Sequence, residues 1–197
     1  MRKARLAVLI SGRGSNLKAI IDASRIANFP AEVVAVISNK ADAKGIDHAI
    51  NAGIPHFIIP SKNFASKEQW EEEIISHLNA QKIDLVCLAG FMRILSPHFF
   101  RLSPPPVINI HPSLLPKYKG LHTHERALEA GDKVAGCTVH FVTEELDAGD
   151  IILQREVQIL ANDTPDTLAE RVLEVEHNAY PDAISLVVNN MLSGQPL

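Results

Sequence analysis

The chain has 197 residues, 46% of them hydrophobic, which suffices for one domain with a sizeable core. Its 23 acidic and 19 basic residues leave a net charge of −4, so there is no basic footprint for a nucleic acid or an anionic membrane surface. Both cysteines, Cys87 and Cys137, fall inside apolar strand-like runs. They read as buried free thiols and point to a reducing, cytoplasmic setting. Val8 to Ile10 is too short for a signal-peptide core, and no apolar run approaches membrane-spanning length. The short cluster Arg2-Lys3-Ala4-Arg5 reads as a solvated terminus.

Apolar runs and helical patterns alternate through the first half. Leu6 to Ile10 is apolar at every position, the mark of a strand covered on both faces. Leu17, Ile20, Ile21 and Ser24 then recur at helical spacing. Glu32 to Ile37 is a second strand, Ala43 to Ala52 a helix closed by Gly53, and His56 to Ile59 a short strand. Lys67 to Asn79 is a helix carrying Trp70, Ile74, Ile75 and Leu78; Ile83 to Leu88 and Val107 to Ile110 are further strands. This β-α-β-α-β-α-β series implies a parallel sheet with helices on both faces. Later, Thr123 to Gly131 is predicted helical, and Cys137 to Thr143 and Ile151 to Val157 are two strands. Thr164-Pro165 is a helix start, with the threonine as cap and the proline in the first turn. Leu168, Val172, Val175 and Ala179 form one stripe, Pro181 should kink or interrupt the helix, Asp182 to Met191 continues it, and Ser193 to Leu197 reads as a frayed tail.

Ligands of such sheets bind beyond the carboxyl ends of the strands, where the strand order switches. Three segments follow strands directly: Ser11-Gly12-Arg13-Gly14-Ser15-Asn16, Ala89-Gly90-Phe91-Met92-Arg93, and residues 109–120. In the first, Gly12 and Gly14 permit a sharp turn, and Ser15 and Asn16 suit a helix N-terminus, where free N–H groups and the dipole favour phosphate. Leu17 stands where a dinucleotide fingerprint has its third glycine, and the Lys-Ser/Thr pair of an NTPase loop is missing. A phosphate-bearing ligand and a structural tight turn are both open readings of a lone GxG.

The third segment contains Asn109 and His111, on one side of a strand at positions i and i+2, and Pro112, which restricts the local backbone. Asp147 lies in a second loop, Glu144-Glu145-Leu146-Asp147-Ala148-Gly149-Asp150. An amide to hold a developing oxyanion, an imidazole to move a proton and a carboxylate to orient the imidazole are what acyl transfer to an amine needs. Taken singly, His111 could be a structural histidine and Asp147 a turn residue. His122-Thr123-His124 lacks partner cysteines and an HExxH pattern, so no metal is expected.

Together these residues resemble the folate-dependent formyltransferase family. Asn109-Ile110-His111-Pro112-Ser113-Leu114-Leu115-Pro116 through Gly120, with Asp147 downstream, resembles the shared core. Leu9 to Leu17 is similar to its phosphate loop, and Ala89-Gly90-Phe91-Met92-Arg93-Ile94-Leu95-Ser96 to its folate-binding segment. Residues 117–124 and His140 to Thr143 also match, so the likeness runs from about Leu6 to Pro181. The resemblance implies a Rossmann-like α/β fold: a mostly parallel twisted sheet, helices on both faces, and an antiparallel strand in the C-terminal half. It implies a single domain over residues 1–197, with a phosphate-binding half up to about residue 100 and a catalytic, folate-binding half after it.

The implied reaction is formyl transfer from 10-formyltetrahydrofolate to the amine of glycinamide ribonucleotide in purine synthesis. Those two small molecules would be its partners, with no metal, nucleic acid or membrane, and with monomer and homodimer both open. The implied catalytic residues are Asn109, His111 and Asp147. Gly14, Ser15, Asn16 and Glu176 would bind the phosphoribosyl substrate. Lys67, Met92, Arg93, Ile94, Leu95, Thr143, Glu144, Glu145 and Leu146 would line the folate site. Arg13 departs from the family pattern and would either add a phosphate contact or face solvent. Formyltetrahydrofolate hydrolases and methionyl-tRNA formyltransferases share the Asn-His-Asp core; the short chain and its acidic charge are the grounds for setting them aside.

Overall fold

A computed structural model describes residues 2–102 and 105–195. One seven-stranded sheet organises them, in the order β3-β2-β1-β4-β5-β6-β7. Its strands are β1 (Ala4–Ile10), β2 (Ala31–Ser38), β3 (His56–Ile58), β4 (Leu85–Leu88), β5 (Val107–His111), β6 (Val134–Phe141) and β7 (Ile151–Gln158). The first five are parallel, and β6 runs antiparallel to both of its neighbours. The expected reversal in the C-terminal half is therefore a single strand, since β7 points the same way as the first five.

Helices α1 (Ser15–Ser24), α2 (Ile46–Ala52), α3 (Lys67–Ala80), α4 (Pro97–Leu102), α5 (Thr123–Glu129) and α6 (Pro165–Ser193) complete the fold. The two faces are covered unequally. Leu6, Val8 and Ile10 of β1 join residues of α1, α2 and α6 in one core that extends to Cys137, Val139 and Val157 on β6 and β7. Ala7 and Leu9 face the opposite way, into a second core with Trp70, Ile74 and Leu78 of α3 and Phe99 of α4. No buried residue of β6 or β7 belongs to that second core among the described residues. Beyond Val107, which still packs in that core, helices thus leave the end of β5 and β6 uncovered on that face.

Several expectations shift by a residue or more. The strand expected at Cys137 to Thr143 is Val134–Phe141, three residues earlier, because Thr138 and His140 alternate with Cys137 and Val139 along a pleat buried on both faces. The helix expected from Ala43 starts at Ile46, and α4 was not legible as a helix. The stripe on the last helix passes through Glu176 instead of Val175, so a carboxyl group is turned inward. Pro181 does not interrupt that helix: α6 is one 29-residue element. The same buried face, Ala179 and Tyr180 before the proline and Ala183 and Ile184 after it, holds both halves in register. The proposed tail is helical through Ser193, and Gly194 caps it with φ 68°; Pro196 and Leu197 lie outside the described residues.

Candidate active site

The strand order reverses between β1 and β4, and the segments after these strands are tied together there. Ser11 Oγ donates to Asn39 Oδ1 at 2.6 Å and accepts from the Met92 N–H at 2.8 Å. One hydroxyl, unremarked in the sequence, therefore joins the ends of β1, β2 and β4. The glycine loop is compact for a reason beyond turning. A Cβ on Gly14, which has φ 72°, would lie 2.6 Å from Gly45 Cα, and the Gly45 N–H donates to Gly12 O at 2.9 Å. Gly14 is the cap of α1 and has no side chain to offer, so the first N–H groups of that helix stay open to an anion. Ser15 and Asn16 follow the cap instead of forming it. Asn16 turns its amide inward, and its Nδ2 donates to Glu176 Oε2 at 2.7 Å. Asn16 Oδ1 is buried without a partner. Burial pushes the Glu176 carboxyl up to about 7, a rise partly offset by the Asn16 hydrogen bond. Arg13 is exposed to solvent.

Asn109 and His111 belong to β5, and His111 is its last residue. Ile108 and Ile110 point into the core beneath α6, so Asn109 and His111 emerge on the face that the helices leave open. His111 Nε2 lies 2.9 Å from the Tyr118 carbonyl, which can only accept, so Nε2 carries a proton. His111 Nδ1 faces Asp147 Oδ2 at 3.5 Å. Both side chains are buried, and Asp147 Oδ2 also accepts the Gly120 N–H at 2.9 Å. The two loops therefore converge. Asp147 adopts φ 48°, left-handed for a residue with a Cβ, at the tip of a loop pinned by its own glycine. A Cβ on Gly149 would lie 1.8 Å from the Phe141 carbonyl oxygen.

His140 is the residue that sequence reasoning left without a role. It sits opposite Asn109 in the β5–β6 pair, on the same face, and is buried. Its Nδ1 lies 2.8 Å from the Phe141 carbonyl and is the protonated nitrogen. Burial holds the ring below the usual imidazole pKa, with the backbone carbonyl and Asp147 acting against that shift. The neutral ring then offers a lone pair at Nε2 to the Asn109 amide, 3.3 Å away. This fixes which end of the amide is NH2 and leaves its second N–H pointing free. The alternation of His140 with Val139 and Cys137 was the available signal; pairing with Asn109 required knowing the register.

A cavity of about 560 Å³ opens over these groups, within the range for small-molecule sites. Asn109, His111, His140 and Asp147 line it, with Met92, Arg93, Ile94 and Leu95 on one wall and Thr143 to Leu146 on another. Leu95 is anchored in the core, whereas Met92 (63% exposed) and Ile94 (62%) present apolar surface to the opening. Buried Glu71 holds this wall by accepting both the backbone N–H and the hydroxyl of Ser96. Lys67 is the exception among the expected folate residues. It is exposed at the start of α3, its Nζ 4.0 Å from Glu71, and does not line the cavity. Gly14, Ser15, Asn16 and Glu176 form a separate cluster that adjoins the cavity through Ser11 and Met92. Among the described residues no group of three or more acidic, histidine or cysteine side chains is placed to hold a metal ion. No helix there is long and apolar enough to cross a membrane.

Residues 4–184 match the family model described as formyl transferase. The phosphoribosylglycinamide formyltransferase of Escherichia coli strain K12 is 49% identical over 187 residues, covering 95% of this chain and 88% of that protein. The human trifunctional purine biosynthetic protein adenosine-3 is 51% identical over 188 residues, again 95% of this chain, but the chain spans only 19% of its length. The share is 14% for the corresponding Drosophila melanogaster protein, at 52% identity over 190 residues. The crystal structure of phosphoribosylglycinamide formyltransferase from Brucella melitensis superposes with a TM-score of 0.92 at 50% identity, covering 95% of this chain and 96% of that one. The sheet order, the converged Asn-His-Asp geometry and a match over nearly the whole length agree: this chain belongs to the formyl transferase family.

Proposed function

We propose that the protein transfers the formyl group of 10-formyltetrahydrofolate to the amine of glycinamide ribonucleotide, as one catalytic domain working in the cytoplasm. The observation that carries this reading is the buried His111, flanked by the Tyr118 carbonyl and Asp147 beside Asn109 on one wall of the cavity. The apolar wall of Met92, Ile94 and Leu95 and the 143–146 segment suit a flat ring, and 560 Å³ accommodates one. Bound there, the folate supplies a formyl carbon activated by its N10. The open N-terminus of α1 would take the substrate phosphate, and the Asn16–Glu176 pair its ribose.

The residues then divide the work. Asn109 gives its free N–H to the negative charge that develops on the formyl oxygen as the amine attacks, and His111, held between the Tyr118 carbonyl and Asp147, stabilises that charge electrostatically. In related acyl-transfer sites, loss of one such donor costs on the order of 100–1000-fold in rate. Asp147 faces His111 Nδ1, placed to stabilise the positive charge that the ring takes up while it carries the proton. The amine proton leaves through His111 or a water held beside it and reaches the departing folate nitrogen, so charge balances with no covalent enzyme adduct. Neutral His140 accepts one Asn109 N–H and keeps the amide turned with its second N–H outward.

The test is direct. Purified protein given 10-formyltetrahydrofolate and glycinamide ribonucleotide should produce the N-formylated ribonucleotide, detected by mass, together with free tetrahydrofolate. Equal consumption of formylfolate in the absence of the amine would identify water as the acceptor and overturn the assignment.

A further inference from the structure

Residues 117–121 touch both members of the His111–Asp147 pair. The Tyr118 carbonyl receives the His111 Nε2 proton, and the Gly120 N–H holds Asp147 Oδ2, each at 2.9 Å. The backbone presenting these groups is in a conformation that side chains disfavour: φ is 58° at Tyr118 and 58° at His122, with 79° at Gly120 between them. Packing is open on one side: a cleft of about 290 Å³, lined by Ser113, Tyr118, Thr123, Asp132 and Val134 among others, borders this segment.

Polar contacts hold the segment. Tyr118 OH donates to Asp132 Oδ2 at 2.8 Å, and Lys117 Nζ reaches both oxygens of the same carboxylate at 3.0 Å. Those two donors hold the Asp132 carboxyl below its usual range. From the other side, the Arg126 guanidinium lies 5.1 Å from the Tyr118 ring centroid, and its Nη1 donates to Lys119 O at 2.7 Å. Asp132 and Arg126 are themselves fixed. Arg126 is in α5, and Asp132 directly follows the Gly131 turn that closes it, with its N–H bound to Ala127 O.

We propose that Asp132 and Arg126 are positioning residues, which clamp Tyr118 so that its carbonyl fixes the ring of His111 against Asp147. The catalytic part of this inference rests on the formyltransferase reading; the structural part does not. Tyr118→Phe removes one oxygen atom and keeps the ring. In the folded variant, kcat should fall about ten- to a hundredfold, the scale of a small misplacement at a reacting centre, while KM for both substrates stays within about twofold. Asp132→Ala should behave likewise, and Asp132→Asn should recover most of the loss, because the amide oxygen still accepts the tyrosine hydroxyl. Arg126→Lys should lower kcat by a smaller factor.

A readout that needs no turnover is the nitrogen-15 spectrum of the His111 ring at alkaline pH, assigned by its loss in His111→Gln. The native protein should show one tautomer, protonated at Nε2; Tyr118→Phe and Asp132→Ala should show a mixture. A protein without formyltransferase activity but with that spectral change would refute the proposed function and leave the clamp standing. Variants that melt earlier, yet keep the native His111 spectrum and kcat, would overturn the clamp.

Discussion

The two loop systems at the carboxyl ends of the central strands reach unusual backbone geometry by different means. Around the α1 N-terminus the left-handed position is a glycine, Gly14, and the adjoining contacts run backbone to backbone against Gly45. Around the cavity, three left-handed residues carry side chains, Tyr118, His122 and Asp147, and polar groups hold them. The first arrangement presents N–H groups that serve any anion and depends little on side-chain chemistry. The second commits each side chain to one orientation, which is what a proton-moving pair needs. Substitutions should therefore separate the two regions. In the cavity loops they should remove rate and spare the fold; in the glycine loop they should weaken the fold and phosphate binding together.

The sharpest separation is expected at the pair itself. His111→Ala and Asp147→Asn should each lower kcat by at least about 100–1000-fold, the cost of losing a preorganised donor or its support. The melting temperature should stay within a few degrees, because both side chains face a cavity. A stopped assay on each purified variant, with a melting curve beside it, decides this. Near-native turnover in His111→Ala would remove the basis of the comparison.

Glu176 tests the glycine-loop side through pH. Its folded pKa of about 7 lies above the ordinary 4.5, because burial penalises the carboxylate. Between those values the folded protein holds a proton that the unfolded chain has released, so stability falls as pH rises from 4.5 to about 7 and then levels off. The accumulated loss is on the order of 3 kcal/mol. Glu176→Gln stays neutral and can still accept from Asn16. It should match the native protein near pH 4.5 and melt later by several degrees above pH 7, while KM for the ribonucleotide rises. Thermal melts across that range check the sign, and an unchanged difference between the two proteins at every pH would rule out the burial account.

Legibility from the sequence followed the same division. Strands buried on both faces announce themselves, so β1, β2, β4 and β5 were readable to within two residues at each end. Asn109 and His111 were readable as neighbours because two residues along a strand always share a face. The tight loop before α1 was marked by its glycines, although their contact with Gly45 was not, since it joins segments thirty residues apart. Lys67 lies outside the cavity lining, at the exposed start of α3, which likeness of position in the chain does not reveal. His140, Asp132 and Ser11 act across strand pairings and loop crossings, and no local pattern encodes those. The stripe was drawn through Val175 where the helix buries Glu176, because helical spacing assigns apolar residues to the inner face and the chain placed a carboxyl there.

Gly14→Ala should give a moderate effect on both axes. The left-handed backbone costs a residue with a Cβ about 1–2 kcal/mol. The new methyl carbon would also meet Gly45 Cα at 2.6 Å, and because that atom is backbone it cannot rotate away. A total destabilisation of about 2–3 kcal/mol is expected, with KM for the phosphorylated substrate raised and kcat changed less. Chemical denaturation gives the first quantity and steady-state kinetics the second. Selective loss of kcat would show that the two loop systems are not separable.

The smallest effect is expected at Pro181, far from either loop. The proline lacks an N–H, so the carbonyl four residues back, at His177, goes without its helical hydrogen bond. Pro181 is only half-buried, whereas Ala179, Tyr180, Ala183 and Ile184 on either side are buried, so packing carries the helix through the gap. Pro181→Ala would restore the bond, worth about 1 kcal/mol, and remove a ring that crowds the preceding turn. It would also free the unfolded chain, which opposes the gain by about 0.4–1 kcal/mol. A net change within about 1 kcal/mol is therefore expected, with kcat unaltered, because Tyr180 OH would still reach the carbonyls of Leu88 and Ile108 behind the site. A fall in kcat would mean that the local bend of α6 sets the spacing of β4 and β5, and that the cavity geometry reaches back through Tyr180 to this helix.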